Sequence, residues 1–112
     1  MNFANIRNIL LEIAEIKEVY EPLAAGSNAK SPYVVLLFGP EIKQTRLGID
    51  EVVNVMIYHS THTSCVELAR KVRKKLSTST SLIYDGTIGQ PFYDTDVNLW
   101  VCTLAFINTR TN

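Results

Sequence analysis

Residues Ser31 to Ser60 read SPYVVLLFGPEIKQTRLGIDEVVNVMIYHS, two apolar runs set apart by a long polar stretch. Tyr33 to Phe38 is continuously apolar and rich in β-forming side chains, which predicts a strand covered on both faces or lying centrally in a sheet. Pro32 can open it, because a missing N–H is tolerated at a strand's first residue, and Gly39 with Pro40 is expected to end it. From Glu51 to Tyr58 a second strand sets Val53, Val55 and Ile57 on one face and Asn54, Met56 and Tyr58 on the other. A minimal hairpin needs only about two to five linking residues. The Gly39–Asp50 connection is far longer, and Ile42, Leu47 and Ile49 give it apolar anchors between Lys43, Gln44 and Arg46. Loops of this size in compact domains often carry function, so this one is expected to project from the sheet.

Working outward, Phe3, Ile6, Ile9, Leu10 and Ile13 recur at steps of three and four, which predicts an amphipathic helix of about three turns. Pro22 blocks its continuation, and EVYEPLAAGSNAKSP reads as a short extended piece followed by a Gly/Ser/Asn loop. Beyond the second strand, Thr61, Thr63 and Ser64 are N-cap candidates for a helix through CVELARKVRKKLS. Its apolar stripe is Cys65, Ala69, Val72 and Leu76, and its other side is basic through Arg70, Lys71, Arg73, Lys74 and Lys75. Then come a polar STSTS linker, an extended Leu82–Tyr84 segment, turn chemistry in DGTIG, and a strand-like run from Asp96 to Asn108. The expected fold is a single α+β domain over residues 1–112. Two helices pack on one face of a mostly antiparallel sheet, in the order α-β-β-α-β-β.

Length and composition bound the function. A chain of 112 residues can bury one core, and 46% hydrophobic with 20% charged side chains is neither a disordered tail nor a membrane protein. No apolar run approaches the roughly 18 residues of a spanning helix. Glu12, Glu15, Glu18 and Glu21 interrupt the start, so it reads as part of the fold and not as a targeting peptide. Eleven basic and eleven acidic side chains give a net charge of +0, which argues against a binder held to DNA by phosphate neutralisation. The same neutrality leaves little self-repulsion to keep copies apart.

Several pairs invite a chemical reading. His59 and His62 stand three apart, but a zinc centre needs about three or four ligands and no third stands at an interpretable spacing. Asp94 and Asp96 would share one side of a strand and could hold a divalent cation, yet turns before strands are routinely rich in Asp. Gly86 and Gly89 lack any phosphate-loop pattern. Cys65 near His62 could be a nucleophile beside a base, though its place at the head of an apolar stripe is better explained by packing. Cys65 and Cys102 lack a CxxC spacing and read as buried thiols in a reducing cytosol. No catalytic, metal-binding or cofactor-binding residue is assigned. The basic helix face is open to solvent, a partner or a neighbouring subunit, with Glu12, Glu15, Glu18 and Glu21 as compensating acids for a head-to-tail contact.

A short N-terminal helix, IKEVYEP, SPYVVLLF, a long polar connection, DEVVNVMIYHS, CVELARKVRKKL and a closing aromatic strand together resemble the tail terminator, or tail completion, proteins of long-tailed bacteriophages. The resemblance runs from about Phe3 to Ile107. It implies a virion structural protein and not an enzyme: a ring, usually hexameric, that caps the finished tail tube, stops its polymerisation and presents a surface to the head connector or neck protein. It also implies assembly in the bacterial cytoplasm, no cofactor, no membrane, and DNA only in passage through the ring. Charge and exposure select Lys43 and Arg46 in the projecting segment and Arg70, Arg73 and Lys74 on the helix as interface residues, with Ile42 and Leu47 beside the first pair as apolar anchors. Two other classes compete: a small metal-dependent enzyme using His59, His62, Asp94 and Asp96, and a nucleic-acid-binding module using the basic helix.

Overall fold

The computed structural model describes residues 1–26, 29–44 and 48–110, with the backbone alone at 43, 44 and 110. Its elements follow the order α1 (Phe3–Leu10), β1 (Glu18–Tyr20), β2 (Tyr33–Gln44), β3 (Ile49–His59), α2 (His62–Ser79), β4 (Ile83–Thr87), β5 (Phe92–Asp94) and β6 (Leu99–Arg110). The strands form one sheet ordered β1-β2-β3-β6-β4, with β5 also paired to β6. Only the β1–β2 pairing is parallel among the described residues. β4 and β5 divide one edge of β6, β4 lying opposite Leu104–Ile107 and β5 opposite Leu99–Val101.

Alternation in β3 decides which side of the sheet becomes the core. Val53, Val55 and Ile57 are fully buried while Val52, Asn54, Met56 and Tyr58 are half-buried. The ladders set Leu36 and Leu104 beside Val55, and Val34 and Cys102 beside Ile57, so one face is continuously aliphatic across three strands. Against it α2 lays Cys65, Leu68, Ala69, Val72 and Leu76, and α1 adds Ile6 and Leu10. The chain is therefore an α+β domain with both helices on one face, as the periodicities predict. Caps fix where the helices begin. The Thr61 hydroxyl accepts from the Ser64 amide at 3.2 Å, and Asn2 and Asn5 bond reciprocally, side chain to backbone, at 2.9 and 3.3 Å; such a cap is worth about 1 kcal/mol.

Four boundaries differ from the sequence reading. β2 does not stop at Gly39 and Pro40 but runs on to Gln44, with register shifts against β3 between Phe38 and Lys43. β1 covers only Tyr33–Val35, so no described strand pairs with the outer edge of β2 at residue 40 and the missing Pro40 N–H costs no ladder bond there. Gly39 takes φ +102, a conformation glycine adopts without a side-chain clash. Much of what reads as a long projecting loop is thus continued sheet, an arm of β2 and β3 with β6 running beside β3 as far as Arg110. α1 ends at Leu10, and the apolar pattern continues to Ile13 in tighter turns, with Glu12 N–H donating to the Ile9 carbonyl and Ile13 N–H to Leu10. α2 extends through Ser79, absorbing most of the expected polar linker. Finally, the first glycine of DGTIG sits inside β4, where Gly86 at φ +120 forms a bulge against β6.

Candidate interaction surfaces

The five cations of α2 divide into two sets. Lys71 pairs with Glu15, and Lys75 approaches Glu12 at 3.7 Å, tying α2 to the turns after α1. Arg7 holds Glu18 at 2.9 Å. Three of the four acids offered for a neighbouring molecule, Glu12, Glu15 and Glu18, are therefore engaged within the chain, and exposed pairs of this kind add at most about 1 kcal/mol each. Arg70, Arg73 and Lys74 lie on the other side of α2, exposed and without an ion pair among the described residues. The Arg73 guanidinium rests 4.1 Å from the centre of the Tyr84 ring. Beside it a cleft of roughly 210 Å³ opens between α2 and the β4–β6 edge, with Ala69 and Leu104 in its walls and Arg70 and Arg73 at its rim.

The arm begins where α1 meets the sheet. Asn108, almost fully buried, donates from Nδ2 to the Met1 carbonyl at 2.9 Å and to Glu51 Oε1 at 3.0 Å, and its Oδ1 accepts from the Met1 amino group at 3.0 Å. β2, β3 and β6 run on together past this knot, to Gln44, Ile49 and Arg110. Ile42 is 54% exposed on the arm. Lys43 belongs to β2 by its backbone, while Arg46 and Leu47 lie outside the described residues. The two groups of expected interface residues therefore sit on separate parts of the molecule, one on the arm and one on α2.

A third surface escaped the sequence reading as a site. The face of the sheet opposite the helices carries Tyr33, Val35 and Leu37 from β2 and Asn54, Met56 and Tyr58 from β3, extended by Val101 and Ala105 on β6. No described helix packs there. Tyr33 stacks on Tyr58 with ring centres 4.8 Å apart and meets Tyr20 edge-on at 5.6 Å. Tyr33, Val35, Val101 and Ala105 are buried yet lie outside the helix-covered core, shielded by neighbouring residues, whereas Leu37, Phe92 and Ile83 stand 41%, 49% and 62% exposed. Burial pushes the Tyr33 and Tyr58 hydroxyls above their ordinary pKa, with Tyr58 and Asp94 adding to the effect on Tyr33, and Asp94 to that on Tyr58. Asn54 Oδ1 is buried without a hydrogen-bond partner. The signal for this face lay in the unbroken run Tyr33–Phe38, which asked for cover on both sides.

The residues weighed for catalysis are used locally. His59 Nδ1 accepts from the Ser60 amide at 2.8 Å, and His62 packs edge-on against Trp100 at 5.0 Å. Asp94 ends β5 and accepts from the Asp96 amide at 2.9 Å, closing an Asx turn before β6. Among the described residues no three His, Cys, Asp or Glu side chains gather as a metal site. The Cys65 thiol is buried, donates to the Ile57 carbonyl at 3.2 Å, and is pushed up to about 12, chiefly by burial and then by its hydrogen bond with Cys102. Burial raises Cys102 as well. A thiol must ionise to attack. Neither cysteine is therefore expected to react with an aromatic disulfide reagent at pH 8 in the native protein, and both should react at once in denaturant. Rapid native labelling of Cys65 would contradict the packing described.

No described helix is long and apolar enough to cross a membrane. Comparison with protein-family models gives no match. A search of curated proteins also gives none.

Proposed function

We propose that this chain is a virion assembly protein, a ring-forming tail terminator or a neighbouring head-to-tail joining component of a long-tailed bacteriophage. The observation that carries the reading is the end of the sheet, where β2, β3 and β6 run on together past the Asn108 knot, with Ile42 exposed on β2. A sheet end that runs past the Asn108 knot is suited to a heterologous contact, in which each copy grips the next and the set closes by rotation into a ring. The segregation of charge supports the same reading: with Glu12, Glu15 and Glu18 engaged internally, Arg70, Arg73 and Lys74 are left for the tail tube below or the connector above. The mechanism is geometric. Copies dock around the tube end, deny the next tube subunit its place, and offer the neck a new surface, while DNA passes through the lumen and no cofactor takes part.

The test is particle assembly in the encoding virus with the arm cut back, joining Phe38 to its ladder partner Val53 through an Asn-Gly turn. Tails of uncontrolled length, unattached to capsids, are the expected result, with the variant folded by circular dichroism. Normal-length tails already joined to capsids would overturn the reading. Salt-sensitive DNA binding that disappears on reversing Arg73 and Lys74 would instead favour a nucleic-acid-binding module.

A further inference from the structure

We infer that the cleft between α2 and the β4–β6 edge, with the groove that continues it along α2, docks an acidic peptide segment of another protein, one that carries an apolar anchor residue beside its carboxylates. The cleft exists because the edge of β6 changes partner there. β4 pairs with it as far as Leu104 and β5 takes over at Val101, while Gly89–Pro91 belong to neither strand. Across from this gap α2 presents the short side chains of Val66 and Ala69, which leaves a space walled on its other sides by Pro91 and Leu104. Val66, Tyr84 and Pro91 are half-buried and Thr87 is exposed, so the space opens to solvent.

Size and charge define the occupant. At roughly 210 Å³ the cleft falls short of the roughly 300–1,000 Å³ of a small-molecule site and suits a single anchoring side chain. Its rim is cationic. Arg70 and Arg73, three apart on one side of α2, are exposed and have no ion pair among the described residues. The Arg73 guanidinium lies 4.1 Å over the Tyr84 ring, and Tyr84 is itself held by Phe106 edge-on and by a 2.8 Å hydrogen bond between its hydroxyl and that of Thr87. A guanidinium stacked in this way keeps its N–H edges free to donate to a carboxylate. A shallower groove runs on from Arg70 and Arg73 past Lys74 to Ser77 and Thr78. No carboxylate is among the residues lining the cleft or the groove. A peptide seated here drops its anchor between Ala69 and Leu104 and lays its acids over three cations that the ion pairs of the chain leave unused.

Nucleic acid shares the charge of such a partner and little else. Affinity for a phosphate backbone grows with the number of phosphates neutralised, and three such cations on a chain of net charge +0 offer few. An apolar cleft with room for one side chain adds nothing to phosphate contact. The inference rests on the proposed function in taking Arg70, Arg73 and Lys74 as the cations left for a partner, and it gives that partner its chemistry.

The experiment is fluorescence anisotropy at low salt, with the purified full chain added to an array of short labelled peptides. Each peptide carries a run of glutamates and a single leucine, phenylalanine or tryptophan at varied spacing from them. The best of these are expected to bind with a Kd below about 1 mM, and peptides lacking either the anchor or the acids at least about tenfold more weakly. Arg70→Glu/Arg73→Glu should weaken binding at least about 30-fold, the scale of a lost interface anchor. Thr87→Trp, which crowds the cleft and leaves every cation in place, should weaken it at least about tenfold. All three positions are exposed, so the variants should keep their native circular dichroism. An array in which nothing binds more tightly than about 1 mM, either variant binding as tightly as wild type, or single-stranded DNA binding more tightly than every peptide overturns the proposal. The tail reading is judged separately, by assembly with the arm cut back. Capped tails joined to capsids by a chain that binds no peptide would refute the cleft and spare that reading, whereas peptide binding by a chain whose shortened arm leaves tails normal would do the reverse.

Discussion

Truncating Phe106 to alanine is expected to destabilise the domain by about 3–5 kcal/mol, the range for removing a fully buried phenylalanine. Phe106 is the largest side chain wholly hidden from solvent, on β6 directly opposite Val53. It also meets Tyr84 edge-on with ring centres 5.5 Å apart, and Tyr84 is the ring under the Arg73 guanidinium. The cavity would therefore open where the sheet, α2 and the β4 edge converge. Against a typical total of about 5–15 kcal/mol for a domain, such a loss leaves a substantial unfolded fraction near physiological temperature. Urea unfolding followed by the fluorescence of Trp100, the single tryptophan, gives the measurement. A shift in midpoint with an unchanged slope is the expected form. A loss below about 1 kcal/mol would place Phe106 at a yielding surface and not in a packed core.

Much of this architecture was legible because hydrophobic period maps onto burial. Val53, Val55 and Ile57 alternate in sequence and alternate in the sheet, and Cys65, Ala69, Val72 and Leu76 mark the buried stripe of α2. What the residues did not reveal depends on neighbours distant in sequence. Gly39 and Pro40 stop most strands, yet here β1 is too short to cover them, a circumstance written some twenty residues upstream. The parallel β1–β2 pairing was missed for the same reason, since EVY carries no mark of its partner. The basic helix looked uniform because all five cations share one segment; only the packing of α1 against α2 shows that Lys71 and Lys75 are engaged and Arg70, Arg73 and Lys74 are not. As for the sites, Ile42, Arg70, Arg73 and Lys74 are exposed, which leaves their part in an interface to be measured. The aromatic face away from the helices was not read as a surface, because a continuous apolar run says that both sides want cover without saying what supplies it.

Replacing Asn108 with alanine is expected to cost about 2–3 kcal/mol although no apolar core is disturbed. Its side chain binds three groups on two residues distant in sequence, the Met1 carbonyl and amino group and the Glu51 carboxylate. Asn108 is 1% exposed and Glu51 7%, so water cannot readily replace what is lost. Buried hydrogen bonds to charged groups contribute roughly 1.5–3 kcal/mol, and a vacated partner adds its own desolvation penalty. The effect should also be local. Asn108 stands opposite Glu51 at the base of the arm, so amide hydrogen exchange ought to accelerate at Ile49–Glu51 and Asn108–Arg110 well before it does at Val53–Ile57. A double-mutant cycle with Glu51→Gln isolates the shared bond, with a coupling of at least about 0.5 kcal/mol expected for side chains in direct contact. Uniform acceleration along β3, or additive losses in the cycle, would mean that the knot stiffens nothing in particular. Loss confined to its neighbours would show that the arm owes its rigidity to one buried amide, and the same variant, with every exposed arm residue unchanged, should then assemble less well than its remaining stability allows.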